Sequence, residues 1–400
     1  MKNILFIISL FPALLFSQTS LKGHIENYAN KRVSLKINKQ FSAKLIGSTE
    51  TDNKGNFKFQ LPENYSGVVY LSLFDAKQNI MLLADNTPIT IEAKMENDSI
   101  IYKNYGNAIT TEWQKTMKNP EEKIDAEEYP LLDYYIQVEK TLDSTQNYNS
   151  IEMREASKNR VVERFTNDND YIETTDVGKG LLTNYLKICS RGSGTDREAM
   201  NRQISAGIDN LLESVGEETS RGQLILGMTI DILHSYEFDS LVEKYMKKVS
   251  SMTCEISPEL KNVIDRNQNI VVGKPIPNLA FTKPLGKAKY KNLYDIKAPQ
   301  KLVVVWASWC SHCVSELPEL KTYYTDFKAK GGEVVGFSLD FSKEDYENAT
   351  KELPWLNDTE LMYWDSKIVK ELNITGTPTL FLLDENNNIL KITHKISDLY

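Results

Sequence analysis

The chain has 400 residues, 41% of them hydrophobic and 26% charged, and carries a formal net charge of −8. Such a length asks for roughly two or three domains rather than one, and the composition is that of a folded protein without a low-complexity tract. The acidic balance argues against a nucleic-acid partner, which calls for a basic face toward phosphate.

The first residues read as an address rather than as part of a fold. Lys2 gives a short positive start, Ile4 to Phe16 form an apolar run broken only by Ser9 and Pro12, and the polar Ser17–Gln18–Thr19–Ser20 follows. This is the pattern of a secretory signal peptide over residues 1–17. The run is short against the ~20 apolar residues of a membrane span, so cleavage is expected, with an uncleaved anchor as the alternative. No Cys follows the expected cut, which excludes lipid attachment there. The expected location is therefore outside the cytoplasm, in the periplasm, free or membrane-associated. Disulfides persist in such compartments, which gives redox meaning to Cys189, Cys254, Cys310 and Cys313, of which the last two are close in sequence.

Residues 21–102 read as a β-rich domain. Val33, Leu35 and Ile37 alternate with polar neighbours, as do Phe57, Phe59 and Leu61, then Val69, Leu71 and Leu73, and then Ile89 and Ile91. Alternation of this kind means strands with one buried and one wet face, hence an antiparallel sheet or sandwich. Asp52–Asn53–Lys54–Gly55 supplies a turn.

Residues 104–267 change texture to amphipathic helices. Leu131, Tyr135, Val138 and Leu142 make one apolar stripe, and Ile204, Ile208, Leu211 and Leu212 another, so a helical bundle is expected. Glu121–Glu122 and Glu127–Glu128 read as a solvated face, and His234 as an isolated helix residue. Cys189 and Cys254 are either buried thiols or a structural disulfide, since geometry decides which cysteines can join.

Residues 270–400 begin with the breaker-rich linker Gly273–Lys274–Pro275–Ile276–Pro277. Strands are predicted over Lys301–Val305, Glu333–Leu339, Thr379–Asp384 and Ile389–Ile392, and helices over Cys310–Lys328, Asp345–Leu353 and Ser366–Leu372. The alternation implies an α/β unit with a central sheet flanked by helices.

In that unit the apolar strand Val303–Val304–Val305 runs into Trp306–Ala307–Ser308–Trp309, and a helix opens at Cys310–Ser311–His312–Cys313. A helix N-terminus favours negative charge through its free N–H groups and its dipole, so it suits a nucleophilic thiolate at Cys310. Two intervening residues put Cys313 on the first turn, close enough to close a disulfide. An imidazolium at His312 would stabilise the thiolate further and make the disulfide a better oxidant. A zinc site asks for a second Cys or His pair, and this unit adds only His394 to His312. A structural disulfide closing so short a ring restricts the unfolded chain little. Haem attachment asks for a His where Val314 stands.

Trp306–Ala307–Ser308–Trp309–Cys310, then Glu316–Leu317–Pro318, then Gly376–Thr377–Pro378–Thr379 occur in an order and spacing that resemble the thioredoxin superfamily, and most closely its TlpA/ResA-like exported branch. The resemblance covers roughly the last third of the chain. It implies that Cys310 is the nucleophile, Cys313 the shielded resolving thiol, and Pro378 a cis-proline whose loop faces the dithiol. The Thr377 backbone would pair with an extended substrate segment, Trp309 would shield the dithiol, and Glu316 would relay the proton of Cys313. Two departures stand out. Ser311–His312 replaces the Pro-containing pair frequent in reductants, and the chain ends at Tyr400 where such units continue into another helix.

The fold class expected is thus an N-terminal antiparallel β domain, a central α-helical bundle and a C-terminal α/β thioredoxin-like fold. The function expected is thiol–disulfide exchange on protein substrates, without metal or organic cofactor. Electrons would come from a membrane thiol carrier or another exported thioredoxin-like protein. The alternatives are a thiol peroxidase of the same superfamily, whose sites place a Thr where Ala307 stands, and a binding or assembly module with a vestigial dithiol.

Overall fold

The computed structural model describes the chain except for residues 1–18, 40–41, 75, 77, 98, 120–122, 147–149, 168–170 and 285–289. The expected signal segment, 1–17, and Glu121–Glu122 therefore lie outside the described residues.

The first part is a sandwich of two four-stranded sheets, ordered β4-β1-β7-β8 and β3-β2-β5-β6. Its strands are β1 (Ser20–Glu26), β2 (Arg32–Lys39), β3 (Ser42–Glu50), β4 (Asn56–Gln60), β5 (Ser66–Leu73), β6 (Gln78–Asp85), β7 (Ile89–Glu96) and β8 (Ser99–Gly106). The alternating residues pack where the periodicity puts them. Leu21, Phe57, Phe59, Ile89 and Ile91 of one sheet meet Val33, Leu35, Ile37, Val69, Leu71 and Leu82 of the other in one buried cluster. The pairing is antiparallel with one exception, since β1 and β7 run parallel. Parallel neighbours need a long connection, and here the chain between them builds the second sheet. Gly55 closes the turn after β3 with φ +84, where a Cβ would lie 2.1 Å from the Ile25 carbonyl oxygen.

Nine helices follow among the described residues: α1 (Ala108–Lys118), α2 (Pro130–Ser144), α3 (Ile151–Asn167), α4 (Tyr171–Thr174), α5 (Val177–Ser190), α6 (Arg197–Val215), α7 (Ser220–Ser235), α8 (Asp239–Ser250) and α9 (Pro258–Asn269). Asn107, Asp196, Thr219 and Ser257 each cap a helix by accepting a backbone N–H of its first turn. α7 is buried all round from Gly222 to Ile230, as the central helix of a bundle must be. α1 and α2 cover the outer face of the sandwich instead, where Val68 and Leu83 meet Ile109, Trp113, Leu131, Leu132 and Tyr135.

Cys189 and Cys254 are free thiols, so the structural disulfide left open by the sequence is absent. Cys189 fills the α5–α6 contact so closely that a Cβ on Gly207 would come within 2.5 Å of its sulfur. Burial pushes its pKa up to about 11.

The last part is a five-stranded sheet ordered β11-β10-β9-β12-β13. It comprises β9 (Lys301–Trp306), α10 (Ser311–Ala329), β10 (Glu333–Ser338), α11 (Lys343–Thr350), β11 (Leu356–Thr359), α12 (Lys367–Glu371), β12 (Thr379–Leu383) and β13 (Ile389–Thr393). β9, β10 and β11 are parallel, while β12 and β13 run antiparallel to their neighbours. Val303 and Val305 face one apolar cluster, while Leu302, Val304 and Trp306 face α10 in the other. The edge strand β11 carries no apolar alternation and was not predicted. The breaker-rich linker is pinned to β13, since Gly273 N–H donates to the Ile389 carbonyl at 2.8 Å and Ile276 N–H to that of Asn387 at 2.9 Å.

Two measurements follow from this packing. Leu211, fully buried in the bundle, is expected to cost about 2–5 kcal/mol on replacement by Ala. Met117→Ala, at an exposed position, should stay within about 0.5 kcal/mol; urea midpoints followed by circular dichroism check both. Because burial disfavours the Cys189 thiolate, iodoacetamide near pH 8 should label the half-exposed Cys254 and spare Cys189 until the protein is denatured. Peptide mass spectrometry reads the result.

Candidate active site

All six residues of β9 are buried. The chain leaves the core after Trp306, turns through Ala307–Ser308–Trp309, and enters α10 with Cys310 as its N-cap. Cys310 Sγ accepts a hydrogen bond from the Cys313 N–H at 3.2 Å, in the place a capping oxygen would take. The two cysteines are joined as a disulfide with Cα atoms 5.3 Å apart. Cys310 is half-buried and Cys313 is 3% exposed, so one sulfur is reachable and the other is shielded. On reduction, the free N–H groups and dipole of α10 would stabilise negative charge at Cys310.

Thr377 and Pro378 come to this sulfur from the sheet. Their peptide bond is cis, and the Thr377 carbonyl oxygen lies 3.5 Å from Cys310 Sγ. His394, at the end of β13, donates from Nδ1 to the Pro378 carbonyl at 2.9 Å. The sequence reading considered His394 only as a metal ligand and missed this contact. Burial is the main cause that lowers the His234 pKa, and His394 acts in the same direction.

Trp309 is 38% exposed beside the dithiol, and its indole N–H donates to the Leu339 carbonyl at 3.3 Å. Its ring packs on Tyr363 at 4.8 Å and Trp364 at 6.2 Å between centroids. Below it, buried Asp340 accepts from the Ser308 N–H at 3.2 Å, from the Ser308 hydroxyl at 2.5 Å and from that of Ser338. Neither Asp340 nor Tyr363 was singled out from the sequence. For Asp340 a signal existed, a carboxylate directly after a buried apolar strand; for Tyr363 there was none.

His312 lies on the first turn of α10 and Glu316 one turn further. The His312 side chain is exposed, and its Nε2 is 3.7 Å from Glu316 Oε1. Glu316 is half-buried, and its Oε2 accepts the Ile396 N–H at 2.8 Å from the final 3-10 turn. That turn, Ile396–Leu399, packs on the α10 side of the sheet with Ile396 buried. Among the described residues no group of three or more His, Cys, Asp or Glu side chains is arranged to hold a metal ion.

The family model described as thioredoxin-like matches residues 300–389. The chain is 25% identical to the thiol-disulfide oxidoreductase ResA of Bacillus thuringiensis over 32% of its own length and 71% of that protein. It is 30% identical to the thiol:disulfide interchange protein DsbE of Pseudomonas aeruginosa, over 32% of this chain and 66% of that one. Among solved structures, the thioredoxin domain of a thiol-disulfide oxidoreductase from Bacteroides vulgatus is 29% identical, covers 32% of this chain and 93% of that one, and gives a TM-score of 0.30. With its Cys310–Cys313 disulfide at the head of α10, the C-terminal third of this chain is a thioredoxin-like domain, related to the thiol–disulfide oxidoreductases.

Proposed function

We propose that the protein is an extracytoplasmic thiol–disulfide oxidoreductase that reduces or isomerises disulfides in protein substrates. The observation that carries this reading is the asymmetry of the dithiol, with Cys310 reachable at a helix N-cap and Cys313 buried behind it. In the reductive direction the Cys310 thiolate attacks a substrate disulfide, forming a mixed disulfide and expelling one substrate thiolate. Cys313 then attacks Cys310 Sγ, restoring the Cys310–Cys313 disulfide and releasing the second substrate thiolate. Two electrons pass to the substrate, and the proton lost by Cys313 needs an acceptor. A membrane thiol carrier or another exported thioredoxin-like protein would return the enzyme to its dithiol form. The signal-like start of the chain supports export to the periplasm.

Glu316 is assigned the proton, because it is half-buried one turn beyond Cys313. Thr377 is assigned the backbone of the client and Pro378 the shape of the loop that presents it, with Trp309 covering the dithiol. His312, paired along the helix with Glu316, is assigned a share in setting the potential.

Two experiments test these assignments. Equilibration in glutathione buffers should give a reversible potential for Cys310–Cys313 that Cys310→Ser abolishes. A value near −270 mV would mark a reductant and one toward roughly −120 mV an oxidant or isomerase; absence of reversible exchange removes the enzyme reading. Glu316→Gln keeps an oxygen for the Ile396 N–H yet cannot take a proton. It should slow exchange by about tenfold or more and flatten its pH profile while leaving the thermal midpoint in place. An unchanged rate would strike Glu316 from the mechanism.

A further inference from the structure

The β sandwich reaches the redox site through β2 and through Phe74, which follows β5. Arg32 on β2 donates from Nη2 to the Phe341 carbonyl at 2.6 Å, and its guanidinium carbon lies 4.2 Å above the Phe74 ring. Phe74 packs on Phe341 at 6.4 Å, Phe341 meets Tyr363 edge-on at 5.7 Å, and Tyr363 packs on Trp309 at 4.8 Å. Four residues further along β2, Lys36 Nζ pairs with Asp365 at 2.7 Å, with side chains only 18% and 5% exposed. Two cations of one strand therefore grip the two loops that hold Trp309. One loop follows β10 and offers the Leu339 carbonyl to the indole; the other carries Tyr363 and Trp364.

The second loop is costly to hold. Leu361 and Tyr363 both lie in the left-handed region, with φ 58 and 56. Side chains with a Cβ rarely adopt it, and such conformations persist only where the surroundings fix them. The inter-domain ion pair at Asp365 is two residues from Tyr363 and is a fixing contact of this kind. A buried pair of this sort contributes more to a single geometry than to net stability.

Strand order says what the wall faces. β9 lies between β10 and β12, so the Leu339 anchor of Trp309 and the Thr377–Pro378 loop flank the dithiol from opposite sides. A small disulfide needs only Cys310, whereas an extended chain crossing the dithiol must touch both flanks. We propose that Arg32, Lys36 and Phe74 are positioning residues through which the β domain fixes the Tyr363–Trp309 wall, so that the site selects extended polypeptide clients over small disulfides. This rests on the oxidoreductase reading above.

The test uses the full-length protein carrying Arg32→Ala with Lys36→Ala, and compares reduction of disulfides in a denatured polypeptide with reduction of oxidised glutathione. The polypeptide rate should fall by about tenfold while the glutathione rate stays within about twofold. Hydrogen exchange over residues 361–365 should speed up. Lys36→Asp should do the same, and adding Asp365→Lys should restore both readouts. Should the double variant fail to fold, Lys36→Met keeps the aliphatic stem and carries the same comparison. Equal changes on both substrates, or none on either, overturn the inference and leave the oxidoreductase reading intact. A wild type that exchanges with neither substrate removes that reading, and this inference with it.

Discussion

The arrangement at the dithiol depends on the burial of β9. A strand enclosed on both faces cannot bend toward solvent along its length, so β9 ends at one defined place, at Trp306. Three residues separate that end from the N-cap of α10, and they are tied down rather than loose. Cys310 N–H bonds the Ala307 carbonyl at 3.2 Å, and Asp340 holds Ser308 by its backbone and its hydroxyl. The Cys310 sulfur is thereby aimed by the sheet, while the field that would favour its thiolate comes from the helix. The carboxyl ends of β9 and β10 lie together, and in open α/β sheets such ends are where reactive groups and ligands gather.

The remaining domains are packed into continuity with this unit. The sheet containing β2 and β5 is covered on both faces, inward by the other sheet and outward by α1 and α2. Its residues thus serve two cores at once, and β2 also extends Arg32 and Lys36 to a third body. On the other side of the dithiol, His394 holds the Pro378 carbonyl. The Trp309 flank of the dithiol is thus connected to structure outside the thioredoxin-like domain.

The parts legible in the sequence were those written in short-range patterns. Alternation placed Val33, Leu35 and Ile37 inward, three- and four-residue spacing placed Ile204, Ile208 and Leu211 in the bundle core, and the Cys310–Cys313 spacing marked the site. Long-range features escaped. The parallel pairing of β1 with β7 depends on partners far apart in the chain. β11 reads Leu356–Asn357–Asp358–Thr359, too polar for a buried strand by periodicity, yet it is buried throughout. Burial is supportable because Asp358 accepts the Thr282 and Lys283 N–H groups at 2.9 and 2.6 Å. Val68 and Leu83 are buried by helices that follow later in the chain. Likewise, nothing near Tyr363 in sequence announces Trp309 as its neighbour.

The pinned linker changes how the redox domain can behave. Ile389 N–H also donates to the Lys274 carbonyl at 2.8 Å, so the segment leaving α9 is tied to the start of β13 and to the turn before it. The domain is not a bead on a string. A flexible tether would let the dithiol sweep a volume set by linker length and raise its effective concentration at distant clients. Fastened to its own sheet from Gly273 onward, the segment leaves only Ile270 to Val272 after α9, too short a tether for such a sweep.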